Sequence, residues 1–322
     1  MKAIIFTQYG SPDVLQFAEV EKPEHKDHEV LIKIHATSLN AADWHLMRAD
    51  PFPVRLVFGL LTPKYPILGA DIAGRVEAVG SKVSLFRPGD EVFGDLSGCG
   101  FGGLAEYVCA PENVLAPKPV NLSFEEAAAV PMAAVTALQG LRDKGKIQAG
   151  QQVLINGASG GVGTFAVQLA KAFGAEGTAV GSTGKIDLAR SLGADHVIDY
   201  TRENFTQNGK QYDLILSANG YYPLSAYKRA LSPKGIYVAT GGSGRQLFQA
   251  IALGPWISLI SGRKMGNMLA RPNPKDLIFV TERIESGKVR PIIDRRYTLH
   301  ETPEAMRYLE AGHASGKIVI TL

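Results

Sequence analysis

Residues Gly150 to Lys171 read GQQVLINGASGGVGTFAVQLAK. Val153 to Asn156 form a short, mostly apolar run, long enough for a buried strand. Gly157, Gly160, Gly161 and Gly163 follow it, and Val162, Ala166, Leu169 and Ala170 then recur at helical spacing. A strand, a glycine turn and a helix in that order are the context a dinucleotide fingerprint requires. Glycine lets the backbone approach a pyrophosphate closely, and the following helix N-terminus presents N–H groups and partial positive charge to it. A tight turn with no ligand is the plainer reading of the glycines. Their complete context favours a cofactor loop over Ser159 to Gly163.

The rest of the chain bounds what surrounds this loop. At 322 residues, 45% apolar and 20% charged, the composition is that of a globular protein with room for two domains. A net charge of +3 is too mild to argue for nucleic acid. No run reaches the ~18 apolar residues of a membrane span, and MKAIIFTQYG reads as a first strand rather than a signal peptide. Two cysteines, Cys99 and Cys109, point to a reducing compartment without a disulfide framework, so a cytoplasmic location is expected.

Before the glycine loop, short strands and turns dominate. Val30 to Ala36 alternates with Ile32 and Ile34 on one face and Lys33 and His35 on the other. Ile67 to Gly80, Phe86 to Gly94 and Gly102 to Val108 are further strand segments punctuated by Gly and Pro. That pattern suggests a β-barrel-like domain. Ser123 with Glu126 makes a capping box and starts a helix. From there strands at Val153 to Asn156, Glu176 to Val180, His196 to Asp199, Asp213 to Ser217 and Gly235 to Ala239 alternate with helical segments. This predicts an α/β, doubly wound parallel sheet, a Rossmann domain.

The glycine stretch resembles the signature of the zinc-independent medium-chain dehydrogenase/reductases of the quinone oxidoreductase, or zeta-crystallin-like, family. Gly150, Gln151, Leu154, Ala158, Ser159, Gly160, Gly161, Gly163, Gln168 and Lys171 fill its fixed positions. The resemblance extends over nearly the whole chain. It implies a GroES-like catalytic domain at 1–122 and 275–322, with a Rossmann domain inserted at 123–274. A cleft between two domains is a usual ligand site. The resemblance also implies a homodimer. Zinc-dependent relatives carry metal ligands where this chain has Asn40, Ala70 and, near Thr136, Met132. These residues cannot hold catalytic zinc, and Asp71 alone does not rescue the site. A structural zinc lobe is likewise missing, since only Cys99 lies near its place, so no metal is expected.

A site for NAD usually carries an acid about 20 residues beyond the glycines. Here Val180 to Lys185 reads VGSTGK, with no carboxylate before Asp187. Ser182, Thr183 and Lys185 suit a 2′-phosphate as donors and counter-charge, although a capped helix start with a solvated lysine would look the same. The expected cofactor is NADPH. By resemblance, Thr136, Tyr200, Gly241, Gly242 and Lys317 also line its site.

The cofactor carries the hard chemistry. Without a metal to polarise a simple ketone, a quinone or an α,β-unsaturated carbonyl is the easier hydride acceptor. Donors near its oxygen would then help. Asn40 is the candidate catalytic donor, Asp43 braces its loop, and Trp44 and Tyr65 are candidate pocket residues. Two apolar stretches, Leu56 to Leu61 and Leu247 to Ile260, read as core and cleft lip or as a patch for lipophilic substrates, a partner or a membrane surface. A metal-free alcohol or aldehyde reductase and a non-catalytic NADPH-binding scaffold are the alternative functions.

Overall fold

The computed structural model describes residues 1–241 and 262–322. Gly242 and the stretch Leu247 to Ile260 lie outside the described residues. In chain order the strands are β1 (Lys2–Ile5), β2 (Gln16–Glu19), β3 (Glu29–Leu39), β4 (Asp71–Val79), β5 (Glu91–Asp95), β6 (Tyr107–Pro111) and β7 (Leu115–Pro117), followed by β8 (Gln152–Asn156), β9 (Glu176–Gly181), β10 (His196–Asp199), β11 (Tyr212–Ser217), β12 (Leu231–Ala239) and β13 (Lys264–Asn267), and finally β14 (Ile293–Thr298) and β15 (Lys317–Thr321). The chain divides into two compact units. One comprises Met1–Ala133, Arg271–Ser286 and Pro291–Leu322; the other comprises Ala134–Ala270 and Gly287–Arg290.

The first unit is built on a seven-stranded sheet among the described residues. Its order is β14-β15-β3-β4-β5-β7, with β6 also pairing β3. All these pairings are antiparallel except β14 with β15. The alternation of β3 is realised: Ile32 and Ile34 are buried, Lys33 is exposed and His35 is half-buried, its ring stacked on Phe124 at 4.3 Å. One expected strand segment moves. From Gly102 to Glu106 there is only an isolated bridge at Ala105, and the strand begins at Tyr107. Gly102 has φ +108°, and a Cβ on Gly103 would lie 2.9 Å from the Gly69 carbonyl oxygen. The two glycines therefore serve a close backbone crossing rather than a ladder.

The capping box at Ser123 and Glu126 forms and opens the helix Phe124–Ala128. This helix packs on the first unit, with Ser38 Oγ donating to the Ala128 carbonyl at 2.8 Å. The shift in composition near Asn121 thus marks a new kind of element. The change of unit comes later, after Ala133.

Among the described residues, the second unit holds a six-stranded, all-parallel sheet in the order β10-β9-β8-β11-β12-β13. Strands β8, β9 and β11 are nearly continuous in buried residues, as expected when helices cover both faces of a parallel sheet. Strand order reverses between β8 and β11, which makes the carboxyl end of β8 the switch point where such sheets take ligands.

Candidate functional site

In the second unit, β8 ends at Asn156 and the helix Gly161–Ala172 begins four residues after the turn opens. The glycines of this turn do different work. Gly157 has φ +79°, and a Cβ there would meet Asn219 at 2.7 Å. At Gly163 a Cβ would fall 2.1 Å from the Gly157 carbonyl oxygen, so this glycine is required by the protein's own packing. Gly160 differs: its φ is −80°, and a Cβ would find nothing closer than 3.7 Å. It caps the helix without any side-chain hydrogen bond. The turn therefore leaves space at Gly160 and an uncapped helix N-terminus over Gly161, Val162 and Gly163. Free N–H groups at a helix N-terminus are the kind of donor that binds an anion, and the buried Ser159 lies beside them.

The signature residues outside the turn are also explained. Gln168 is buried, accepts from Arg290 N at 2.9 Å and donates to Arg290 O at 3.0 Å, so it pins the returning chain within the same unit. Lys171 pairs with Asp195 at 2.5 Å, and Asp195 also accepts from Gly177 N.

At the end of β9, Ser182 precedes a single turn of 3₁₀ helix, Thr183–Lys185, whose last residue is Lys185. The absence of an acid in this loop does not mean that none is near. Asp199, at the end of neighbouring β10, accepts from the Thr183 hydroxyl at 2.5 Å and from Thr201 Oγ1 at 2.7 Å. These hydrogen bonds hold its carboxyl below its ordinary range. Thr183 is thus tied to Asp199, while Ser182 is half-buried and Tyr200 is exposed. Thr136 is buried. Gly241 sits in the turn after β12, where a Cβ would lie 2.4 Å from the Ala218 carbonyl oxygen.

In the first unit, strand register assembles a buried polar cluster. Ile318 of β15 lies opposite Leu39 of β3, which brings Lys317 beside Asn40. Ser38 of β3 lies opposite Asp71 of β4. Lys317 is 3% exposed; its Nζ donates to Asn40 Oδ1 at 2.5 Å and to Asp71 Oδ2 at 3.0 Å. Asp71 also accepts from Asn40 Nδ2 at 2.9 Å and Met132 N at 2.8 Å, and Ser38 Oγ lies 2.9 Å from its Oδ2. This carboxylate and ammonium are therefore paired and hydrogen-bonded, the condition for burying charge at tolerable cost.

Asn40, the expected donor, has both ends of its amide engaged within this cluster, the second Nδ2 contact reaching Ser38 O at 3.4 Å. Its backbone N donates to Asp43, which also accepts from Gly69 N at 3.0 Å. Asp43 thus braces the loop. Full burial, opposed by these two backbone donors, raises its pKa to about 7. Asp95 is raised to about 6 by burial and by the neighbouring Asp71 charge. Trp44 is half-buried and stacks on His45 at 3.6 Å. Tyr65 packs on Phe58 and Phe101 at 6.2 and 5.9 Å and lines an apolar cavity of about 10 Å³, smaller than any organic substrate.

Sequence reasoning weighed Asp71 only as a metal ligand and passed over Asp95. The available signal was an acid at the head of otherwise apolar segments, Asp71-Ile72-Ala73 and Asp95-Leu96. At the zinc-ligand positions of the family pattern stand Asn40, Ala70 and Met132, and the cation in this cluster is the Lys317 ammonium. Among the described residues no group of three or more His, Cys, Asp or Glu is placed to hold a metal, and no helix is long and apolar enough to cross a membrane.

Two protein families match the chain. The alcohol dehydrogenase GroES-like domain matches residues 26–120, and zinc-binding dehydrogenase matches residues 192–320. The chain is 39% identical to 2-methylene-furan-3-one reductase of Solanum lycopersicum, over 99% of its own length and 79% of that protein's. It is 35% identical to the chloroplastic NADPH-dependent alkenal/one oxidoreductase of Arabidopsis thaliana, again over 99% and 79%. Among solved structures, the quinone oxidoreductase of Coxiella burnetii superposes with a TM-score of 0.90 at 31% identity, covering 100% of this chain and 99% of that one.

Proposed function

Since the chain belongs to the quinone oxidoreductase family of medium-chain dehydrogenase/reductases, we propose that it reduces a quinone or an α,β-unsaturated carbonyl with NADPH and without a metal. The observation that carries this reading is the uncapped glycine turn at Gly160, built where strand order reverses. NADPH, when bound, would supply a hydride to the electrophilic carbon, and solvent would supply the balancing proton. The residues of the chain bind and orient. Gly160 and the first-turn N–H groups of Gly161 to Gly163 take the pyrophosphate, with Ser159 beside them. Ser182 and Lys185 would take the 2′-phosphate, and Tyr200, Thr136, Gly241 and Gly242 would complete the cofactor contacts.

Charge that develops on the acceptor oxygen needs a fixed donor. Lys317 Nζ has three N–H bonds and two acceptors among the described residues, Asn40 Oδ1 and Asp71 Oδ2. The third N–H is the donor this reading assigns, with Asn40 and Asp71 holding the ammonium and Asp43 holding Asn40. Trp44 and Tyr65 belong to the substrate side. The same reading takes the protein as a cytoplasmic homodimer.

The test is turnover. Purified protein with NADPH and a panel of quinones and enones should oxidise the cofactor, seen as loss of the reduced-nicotinamide absorbance. Tight NADPH binding with no turnover across that panel would favour a non-catalytic scaffold instead.

A further inference from the structure

The run Pro51 to Ala70 contains two cations, Arg55 and Lys64, and no acidic residue. Within it, Phe52, Leu56, Val57, Leu60 and Leu61 are 64, 72, 68, 56 and 84% exposed. Single exposed apolar residues are ordinary, but five large ones within ten positions form a patch that calls for a partner. The short helix Val54–Phe58 and the turn at Gly59 display them. Gly59 has φ +116°, and a Cβ there would lie 2.0 Å from the Thr62 carbonyl oxygen. The chain therefore reverses tightly, with Leu60 and Leu61 at the tip.

This knob is fixed from beneath. Phe58 packs on Tyr65 and Phe101 at 6.2 and 6.1 Å. Tyr9 Oη donates to the Gly59 carbonyl oxygen at 2.6 Å and lies 3.0 Å from that of Phe58, and the Arg55 guanidinium lies over the Tyr9 ring at 4.7 Å. The inward side chains are thus engaged and the outward leucines stay in water. Lys64 is exposed at the base, its ammonium 5.2 Å from the Tyr65 centroid. An apolar tip with the exposed Lys64 at its base, and no acid from Pro51 to Ala70, matches a bilayer interface carrying anionic headgroups. The apolar side chains enter the acyl boundary while long cationic ones reach the phosphates.

We propose that residues 52–64 dock the protein on an anionic lipid surface. The experiment is co-sedimentation of the full chain with phosphatidylcholine vesicles, alone or mixed with phosphatidylserine, at low and high salt. Wild-type protein is expected to bind the mixed vesicles and to be released by salt. Leu60→Ser/Leu61→Ser should weaken that binding by about tenfold or more, and Lys64→Glu by roughly fivefold or more. Both leucines are exposed, so the melting curve of the double variant should match wild type. If it does not, Leu56→Ser/Val57→Ser repeats the test on the same face. Failure of wild-type protein to sediment with the mixed vesicles overturns the proposal, as does a folded leucine variant that binds like wild type. A patch that instead joins two copies of the chain would show as a mass lowered by the leucine variant without lipid, and this too overturns it.

Discussion

Gly160 and Gly163 sit three residues apart in one turn, yet the structure separates their roles. A valine at Gly163 would meet backbone at 2.1 Å. Gly163→Val is therefore expected to destabilise the fold by about 3 kcal/mol or more and says nothing specific about the cofactor. Gly160 has an ordinary φ, and a Cβ there would make only an ordinary contact, 3.7 Å from the Gly157 carbonyl oxygen. Gly160→Val should keep its melting temperature and lose NADPH, because its side chain would occupy only the place of the pyrophosphate. Fluorescence titration showing normal NADPH binding by folded Gly160→Val protein would remove the loop from the site. At the other end of the cofactor, Lys185→Ala should raise the KM for NADPH by about ten- to a hundred-fold and leave that for NADH nearly unchanged. Only NADPH offers the phosphate to the ammonium. The difference should shrink with salt, and Ser182→Ala should act in the same direction more weakly. An equal change for both cofactors would take Lys185 out of the site. Thr183 is set apart from these two, because its hydroxyl is held by Asp199.

Elements, rather than single residues, create the acid cluster. Asp43 closes a capping box at the start of the helix Ala41–Arg48, with Asn40 as its N-cap, and it also takes Gly69 N. Its folded pKa of about 7 stands above the ordinary carboxylate value of 3.8. The folded state therefore holds this proton more tightly than the unfolded one, and the resulting stability is present at low pH and lost as pH rises through about 7. Asp43→Asn removes the titration. Wild type should gain roughly 2–3 kcal/mol relative to this variant between about pH 8 and about pH 5, measured by denaturant unfolding at each pH. A constant difference across that range would show that Asp43 does not titrate there. This cluster was beyond the reach of the sequence, whereas the glycine turn was not. Gly150 to Lys171 is local: strand, turn and helix follow one another, so periodicity and spacing suffice. Lys317 and Asp71 are 246 positions apart, and only the registers of β15 on β3 and of β3 on β4 bring them together. The two ends of the Gln168 amide meet a backbone 122 residues away. Asp199 reaches Thr183 because β10 lies beside β9, a neighbour relation that the spacing of acids along the chain does not contain. The strand start at Tyr107 was likewise missed, since a close crossing of Gly103 with Gly69 outweighs the local strand pattern of Gly102 to Val108.

Among the described residues, the parallel sheet of the second unit ends on β10 at one side and β13 at the other. A free edge is a row of unpaired N–H and C=O groups that invites another strand. The two edges differ. His196 on β10 is exposed and hydrogen-bonded to Glu176 at 2.7 Å, a polar margin that discourages pairing. On β13 only Lys264 is charged, Met265 is buried, and the space around Gly266 would admit a Cβ without contact. A second copy related by a two-fold axis would extend the sheet through β13 and remove both copies' open edges at once. Light scattering at micromolar concentration is therefore expected to give about twice the 34.5 kDa of one chain. A monomer mass rejects this pairing. The strand lies in the second unit and the apolar knob at 52–64 in the first, so the two surfaces can be told apart. Leu60→Ser/Leu61→Ser should leave the dimer mass intact while releasing the protein from anionic vesicles.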